Sequence, residues 1–113
     1  MNTEKINTLV QVQDAMDIVE NARAVTGLTP DDRLKLETAS AKLRSLERTI
    51  IRITTTELVA TLTSDSDALK VLAGQIKQSS EKLSGVANAI EKAADVVGTF
   101  IKIVATVFAS GLL

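Results

Sequence analysis

The sequence predicts an all-α protein, and three observations carry that prediction. Proline and glycine are scarce, with one and five residues respectively among 113. Apolar residues recur at alternating spacings of three and four, which is the spacing of one helical face. Clusters of turn-forming residues occur at two places, 26–30 and 63–67. The pattern favours an antiparallel three-helix bundle, or a coiled-coil hairpin, in a single helical domain over 1–113, with a long, apolar C-terminal helix.

The first predicted helix spans about residues 3–25. Its apolar stripe consists of Leu9, Val12, Met16 and Val19, which alternate at spacings of three and four. Gly27 follows at a position that suits the end of a helix, because glycine readily adopts the left-handed conformation found there.

The second predicted helix spans about residues 30–62 and has a clear start. Thr29 suits the N-cap and Pro30 the first helical position, and the two aspartates that follow suit the positive end of the helix dipole. Its heptad stripe is Leu36, Ala39, Leu43, Leu46, Ile50 and Ile53. The run 49–56 is rich in β-branched residues, which lose χ1 freedom in a helix. Continuity of the heptads favours a helix through this run, and a kink or a strand is the alternative.

The third predicted helix spans about residues 66–109, and Ser64 with Asp67 gives it a start similar to a capping box. Its stripe keeps one alternation of three and four throughout: Leu69, Leu72, Ile76, Ser79, Leu83, Val86, Ile90, Ala93, Val97, Phe100, Val104 and Val107. Because the phase does not change at Gly85 or Gly98, the pattern predicts one helix roughly 65 Å long.

The C-terminal tail, 96–113, is the most apolar part of the chain. It carries one charge in eighteen residues and both phenylalanines. The residues predicted to form a membrane or assembly helix are Val97, Phe100, Ile101, Lys102, Val104, Val107 and Phe108. A helix that is apolar all round must be buried in protein or in lipid. Three alternatives follow: the core of a bundle or oligomer, conditional membrane insertion, and a stable span. Lys102 disfavours the stable span, since a charge at mid-membrane costs roughly 3 kcal/mol.

Small residues recur along the same predicted helix. Gly85, Ala89 and Ala93 are spaced by four, and Gly98 repeats that spacing after Ala94. Small residues at this spacing let two helix backbones approach closely, so these positions are candidates for close helix packing. The alternative is that alanine is simply a good helix former.

A basic row on the second helix is a further candidate feature. Arg44, Arg48 and Arg52 are spaced by four, which places them on one side of a helix. Such a row attracts anionic lipid headgroups or an acidic partner. The alternative is an ordinary solvated face, which the neighbouring Glu37 and Glu47 also favour.

Composition argues against catalysis. The chain has no Cys, His, Trp or Tyr, and it contains no phosphate-binding loop, dinucleotide turn or nucleophile elbow. Glu91 and Asp95 would face one side of a helix, but the histidine that accompanies such carboxylates in helical metal sites is missing. We therefore expect no enzyme activity, no catalytic, cofactor-binding or metal-binding residues, no cofactor and no small-molecule substrate. A net charge of −1 argues against nucleic acid as a partner.

These observations predict a non-enzymatic helical protein that acts by association. Its apolar C-terminal helix would mediate self-assembly, membrane insertion or both, with copies of itself, a helical protein or a membrane as partner. The pattern resembles that of small helical membrane-active proteins, in which a soluble bundle carries an apolar helix that can be released. The alternative is a soluble homo-oligomeric coiled-coil scaffold or adaptor. The N-terminus lacks the features of a secretory signal, so a cytoplasmic or membrane-peripheral location is expected.

Overall fold

The secondary structure is entirely helical in the computed structural model, which describes residues 2–53 and 56–110. Four helices are present over these ranges: α1 (Asn2–Ala22), α2 (Pro30–Arg52), α3 (Thr56–Ser79) and α4 (Ser84–Ser110). The all-α prediction is confirmed. The prediction of three helices is wrong, because the two longest predicted helices are each interrupted.

The four helices pack around one core. Each helix contacts the next one along the chain, and α1 also contacts α4. Every helix contributes fully buried apolar side chains, for example Val12, Leu43, Leu69 and Ile90. The resulting bundle measures 51 × 20 × 17 Å. A continuous third helix of roughly 65 Å would exceed this long axis.

The two ends of the bundle differ in what they contain. At one end, which we call the Gly27 end, Lys82 Nζ donates to the carbonyls of Thr26 and Gly27 at 3.3 and 3.4 Å. This joins the α3–α4 connection to the α1–α2 connection. At the opposite end, which we call the Phe108 end, Lys5 Nζ donates to the carbonyl of Ile51 at 2.8 Å. The Phe108 end contains the first turns of α1 and α3 and the last turns of α2 and α4.

The predicted start of α2 is confirmed. The helix begins at Pro30, and Thr29 is its N-cap. The Asp32 amide donates to Thr29 Oγ1 at 3.0 Å, and the Thr29 amide donates to Asp32 Oδ2 at 3.1 Å, which completes a capping box. Gly27 adopts φ +83°, a left-handed conformation that glycine tolerates, but it lies within the α1–α2 connection and does not end α1 as predicted. The α1 helix itself stops at Ala22, three residues before the predicted end.

The polar cluster predicted as a break at 63–67 lies inside α3. Asp65 is buried, and its carboxylate accepts a hydrogen bond from Ser45 Oγ of α2 at 2.6 Å. Ser66 is also buried, and its hydroxyl donates to the carbonyl of Ala94 in α4 at 3.1 Å. Neighbouring helices therefore satisfy the two buried polar side chains, while Thr63, Ser64 and Asp67 stay exposed.

The predicted continuation of the second helix to residue 62 is wrong. The α2 helix ends at Arg52, and Ile53 has extended backbone angles, φ −64° and ψ 112°. Residues 54 and 55 lie outside the described ranges, and α3 begins at Thr56. The interruption falls within the β-branched run 49–56, where helix propensity is lowest.

The predicted single helix over 66–109 is also wrong, because the chain leaves the helix at residues 80–83. Ser79 Oγ donates back to the carbonyl of Gln75 at 2.8 Å, an arrangement that weakens a helix end. Leu83 is fully buried within the connection. The connection has about the length of one helical turn, so the apolar spacing passes across it without a change of phase. The α4 helix is continuous through Gly98.

Candidate association surface

The second half of α4 has two different faces. Val97, Phe100 and Val104 are buried in the core, while Ile101, Val107 and Phe108 are half-buried. The outer face is exposed and polar, with Asp95, Thr99, Lys102 and Thr106 along it. The expectation of a helix buried on all sides is therefore not met within the bundle. The neighbouring helices α1 and α3 bury one face of α4 and leave its polar outer face exposed.

By length and composition alone, α4 passes the test for a membrane-crossing helix, and it does so alone among the helices of the described ranges. Its most apolar stretch has a mean hydropathy of 1.6, and 28 % of that stretch is buried. A core helix of a soluble bundle can meet the same test when most of it is buried. Here the unburied part of the stretch includes the polar outer face as well as half-buried apolar residues such as Ile101, Val107 and Phe108.

An apolar groove opens between the start of α3 and the end of α4. Val59 lines one side, and Ala105, Phe108 and Ala109 line the other. The groove has a volume of about 280 Å³. Ala105 and Ala109 are exposed and four residues apart, so they lie on the same side of the helix. The groove is therefore an apolar surface that the bundle itself does not fill.

The groove does not end the apolar surface at the Phe108 end. Ile6 in α1 is 60 % exposed and Ile51 in α2 is 53 % exposed. The hydrogen bond from Lys5 to the Ile51 carbonyl places the first turns of α1 beside the last turn of α2. Single exposed apolar residues are normal on protein surfaces. Here two large ones occur at the same end as the groove.

Among the described residues, side chains of α4 make polar contacts with another helix only in the first half of α4. Glu91 accepts from Lys77 at 2.9 Å, and Asp95 lies 3.2 Å from Lys70. Beyond Asp95, the side-chain hydrogen bonds of α4 stay within the helix. Apolar contacts alone therefore hold its second half against the bundle.

The three arginines of the α2 row differ in whether they have an acidic partner. Arg44 lies 3.5 Å from Glu20 of α1. Arg48 and Arg52 are exposed, and neither has an acidic partner within 4 Å among the described residues. Lys102 of α4 is likewise exposed and has no such partner there. Three cations near the Phe108 end thus remain available to an external anion.

Acidic side chains at the same end are fewer and partly engaged. Glu47 accepts a hydrogen bond from Gln13 at 3.0 Å. A backbone hydrogen bond lowers the pKa of the Glu4 carboxyl in the first turn of α1. Glu57 in the first turn of α3 is exposed.

Of the small residues predicted for close helix packing, the two glycines have no close neighbour from another helix of this chain. Gly85 is exposed, Ala89 and Gly98 are half-buried, and Ala93 is buried. A Cβ atom added at Gly85 or Gly98 would meet nothing within 4 Å. Neither glycine is therefore required by a neighbouring helix of the same chain. Close packing against another chain stays a prediction.

The carboxylates considered for metal binding have structural partners. Glu91 and Asp95 form the ion pairs with Lys77 and Lys70 that join α3 to α4. The described residues include no group of three or more metal-ligating side chains.

Comparison with protein-family models, with curated proteins and with solved structures finds no match to this chain. Function is therefore inferred from the chain's own residues. Of those, Val59, Ala105 and Ala109 were not predicted as site residues. Val59 lies far from the tail in sequence, and the two alanines could not be assigned to an open face before the packing of α4 was known.

Proposed function

We propose that this chain is a non-enzymatic helical protein that acts by association through the second half of α4. In this proposal the helices form an antiparallel up-and-down bundle, and the groove lined by Val59, Ala105, Phe108 and Ala109 is the surface that a partner covers. One observation carries the proposal: the part of α4 beyond Asp95 is apolar and only partly buried, and among the described residues its side chains make no polar contact with another helix.

Energetics favour association of the folded bundle over complete release of α4. Val97, Phe100 and Val104 would leave the core if the helix were released, and each buried apolar side chain contributes about 1.5–3 kcal/mol. Their sum is comparable to the whole stability of a small domain, about 5–15 kcal/mol. Full insertion into lipid would bury these side chains again, but it would also place Lys102 in the membrane. Docking of the intact bundle requires neither the release of α4 nor the placement of Lys102 in the membrane.

The alternative function is a soluble homo-oligomeric coiled-coil scaffold or adaptor. The polar outer face of α4 favours it, because Thr99, Lys102 and Thr106 suit water better than lipid. In that case the groove would pack against a copy of this chain or against a helix of another protein.

A double substitution that leaves the core intact tests the proposal. Ala105→Glu with Ala109→Glu places two carboxylates beside the groove at exposed positions. Gln75→Glu with Gln78→Glu is the matched control, since it adds the same charge at exposed positions of α3. The measurements are co-flotation with lipid vesicles and mass in solution, together with thermal melting to show that each variant is folded.

We expect the unmodified protein and the control to float with vesicles, to form an oligomer, or both, and the Ala105/Ala109 variant to do neither. If the unmodified protein is a monomer that does not bind vesicles, the proposal is wrong. If the Ala105/Ala109 variant associates as well as the control, association does not use this groove.

Lys102→Leu separates insertion from surface binding. Removing a charge that costs roughly 3 kcal/mol at mid-membrane should raise vesicle partitioning roughly 100-fold if α4 inserts. Lys92→Leu is the control, because Lys92 is an exposed lysine in the first half of the same helix. Equal effects of the two substitutions would exclude insertion of the segment around Lys102.

A further inference from the structure

The Phe108 end combines an apolar groove with exposed cations, and this combination identifies a class of partner. We propose that this end docks on a lipid bilayer that carries anionic headgroups, an inference that rests on the proposed function and names its partner. The headgroups are contacted by Arg48, Arg52 and Lys102. The apolar groove faces the hydrocarbon region of the bilayer.

Arg48 and Arg52 differ from Arg23 and Arg44 because they have no acidic neighbour in the described ranges. Toward the Gly27 end, Arg23 lies 3.2 Å from Glu37 and Arg44 lies 3.5 Å from Glu20. Those ion pairs neutralise the arginines in place. Arg48 and Arg52 continue along α2 toward the Phe108 end and have no acidic neighbour within 4 Å in the described ranges. Their charge is therefore available to an external anion.

The cations and the groove occur at the same end of the bundle. The α2 helix ends at Arg52 and α3 begins at Thr56, and four residues span at most about 14 Å. Val59 lies in the first turn of α3, so the end of the arginine row and the groove share one region. On the other side, Lys102 lies one turn before Ala105 and Thr106 in α4. Charge and apolar surface are thus presented together.

This arrangement suits a bilayer better than the other candidate partners. A bilayer offers an anionic layer directly beside an apolar phase, which matches an end of the bundle that carries both exposed cations and an apolar groove. Nucleic acid offers the anion without an apolar phase. A second copy in a symmetric dimer would bring the same cations toward one another, and like charges across an interface are disfavoured.

The charge balance of this end supports the choice. Among the described residues at the Phe108 end, Lys5, Arg48, Arg52 and Lys102 are basic, besides the paired Arg44, whereas Glu4, Glu47 and Glu57 are acidic. The chain as a whole carries a net charge of −1, so its basic character is local rather than general. With the Phe108 end on the bilayer, the 51 Å long axis carries the Gly27 end away from the anionic surface.

The test compares two vesicle compositions and two double variants. Vesicles of phosphatidylcholine alone are compared with vesicles that also contain phosphatidylglycerol. Arg48→Gln with Arg52→Gln should weaken binding to the anionic vesicles roughly 30-fold, since each basic residue near such a surface contributes about a fivefold effect. Binding to the neutral vesicles should not change.

The matched control is Arg33→Gln with Lys92→Gln. Both residues are exposed in the first halves of α2 and α4, toward the Gly27 end, so the control removes the same charge at the far end of the bundle. We expect it to weaken binding by about twofold or less, because salt screens charges beyond roughly 10 Å. An equal loss in both double variants would show that net charge, rather than this surface, determines binding, and would overturn the inference.

Two further outcomes separate this inference from the proposed function. If the unmodified protein binds both vesicle types equally, membrane association stands and the role of the anionic headgroups is wrong. If it binds neither type but forms an oligomer in solution, association stands and the bilayer is the wrong partner. If it binds neither and remains a monomer, both proposals fail.

Discussion

The Gly27 end and the Phe108 end of the bundle differ in how α4 and its connection to α3 are held in place. At the Gly27 end, directional polar contacts define the structure: the capping box of Thr29 and Asp32, and the hydrogen bonds from Lys82 to two backbone carbonyls. At the Phe108 end, Lys5 joins α1 to the Ile51 carbonyl of α2, but the second half of α4 contacts the bundle through apolar side chains alone and leaves an open groove beside Phe108. Polar contacts therefore fix the helix connections at the Gly27 end, whereas apolar contacts hold the end of α4.

The difference has a consequence for function. Hydrogen bonds and caps specify one geometry, and breaking one leaves a polar group without its partner. Apolar contacts are not directional, so lipid or another apolar surface can replace them. Regions with fewer buried contacts also open at lower free energy than the core. The Phe108 end is thus the part of the molecule best able to accept a partner while the Gly27 end keeps the fold.

The largest expected effect comes from comparing the two phenylalanines of α4. Phe100 is 1 % exposed and Phe108 is half-buried. Phe100→Ala should lower the free energy of unfolding by about 4 kcal/mol, because it removes a buried ring and leaves a cavity. Phe108→Ala should lower it by only about 1 kcal/mol, since the ring is partly in water already. Urea denaturation measures both.

Equal losses for the two substitutions would contradict the comparison, because they would mean that the Phe108 end is packed as tightly as the middle of the bundle. Val104→Ala serves as an internal control. Val104 is fully buried and lies between Phe100 and Phe108 in the sequence. The loss of unfolding free energy on its truncation should show where along α4 the packing weakens.

The start of α2 could be predicted from the sequence because all its determinants are local. Thr29, Pro30 and Asp32 act within one helical turn, and their chemistry does not depend on the rest of the fold. The contribution of Asp32 as the partner of a capping box was missed, although its position three residues after Thr29 indicates it.

The helix boundaries that failed depend on contacts between distant residues. Asp65 and Ser66 are typical of a turn until Ser45 and the Ala94 carbonyl satisfy them inside the bundle. The error at 80–83 is of the opposite kind, because the apolar spacing predicts a helix there and the chain forms a connection. Its length is close to one helical turn, so the apolar spacing does not record it, and only packing of α4 on α3 requires it.

The candidate surface was predicted in part. Hydropathy singled out the tail and therefore Val97, Phe100 and Phe108, but hydropathy cannot say which face of a helix its neighbours cover. That Lys102 lies on an exposed polar face, and that Val59 completes a groove, both follow from the packing of α3 on α4.

A smaller effect tests the polar character of the Gly27 end. Thr29→Ala removes the side chain that accepts from the Asp32 amide, and loss of such a cap should lower the free energy of unfolding by about 1 kcal/mol. Thr38→Ala is the control. Thr38 is exposed in the middle of α2 and bonds only the Leu34 carbonyl of its own helix, so its loss should change stability by about 0.5 kcal/mol or less. A harmless Thr29→Ala would mean that the cap does not stabilise this end.

The smallest effects have opposite signs and concern two glycines. Gly98→Ala should raise the free energy of unfolding by about 0.5–1 kcal/mol, because Gly98 lies within α4 and an added Cβ meets nothing within 4 Å. Gly27→Ala should lower it by about 1 kcal/mol, since Gly27 has φ +83° and its Cβ would meet the Lys82 side chain.

Solution mass measured on the same Gly98→Ala protein decides what this glycine does. If the unmodified protein is an oligomer and the more stable variant is a monomer, then Gly98 is a point of close approach between chains, as the small-residue spacing predicts. If the oligomer survives, association does not use the backbone at Gly98. The apolar groove beside Phe108 is then the surface to examine, because the bundle leaves it open at the same end as the unneutralised cations.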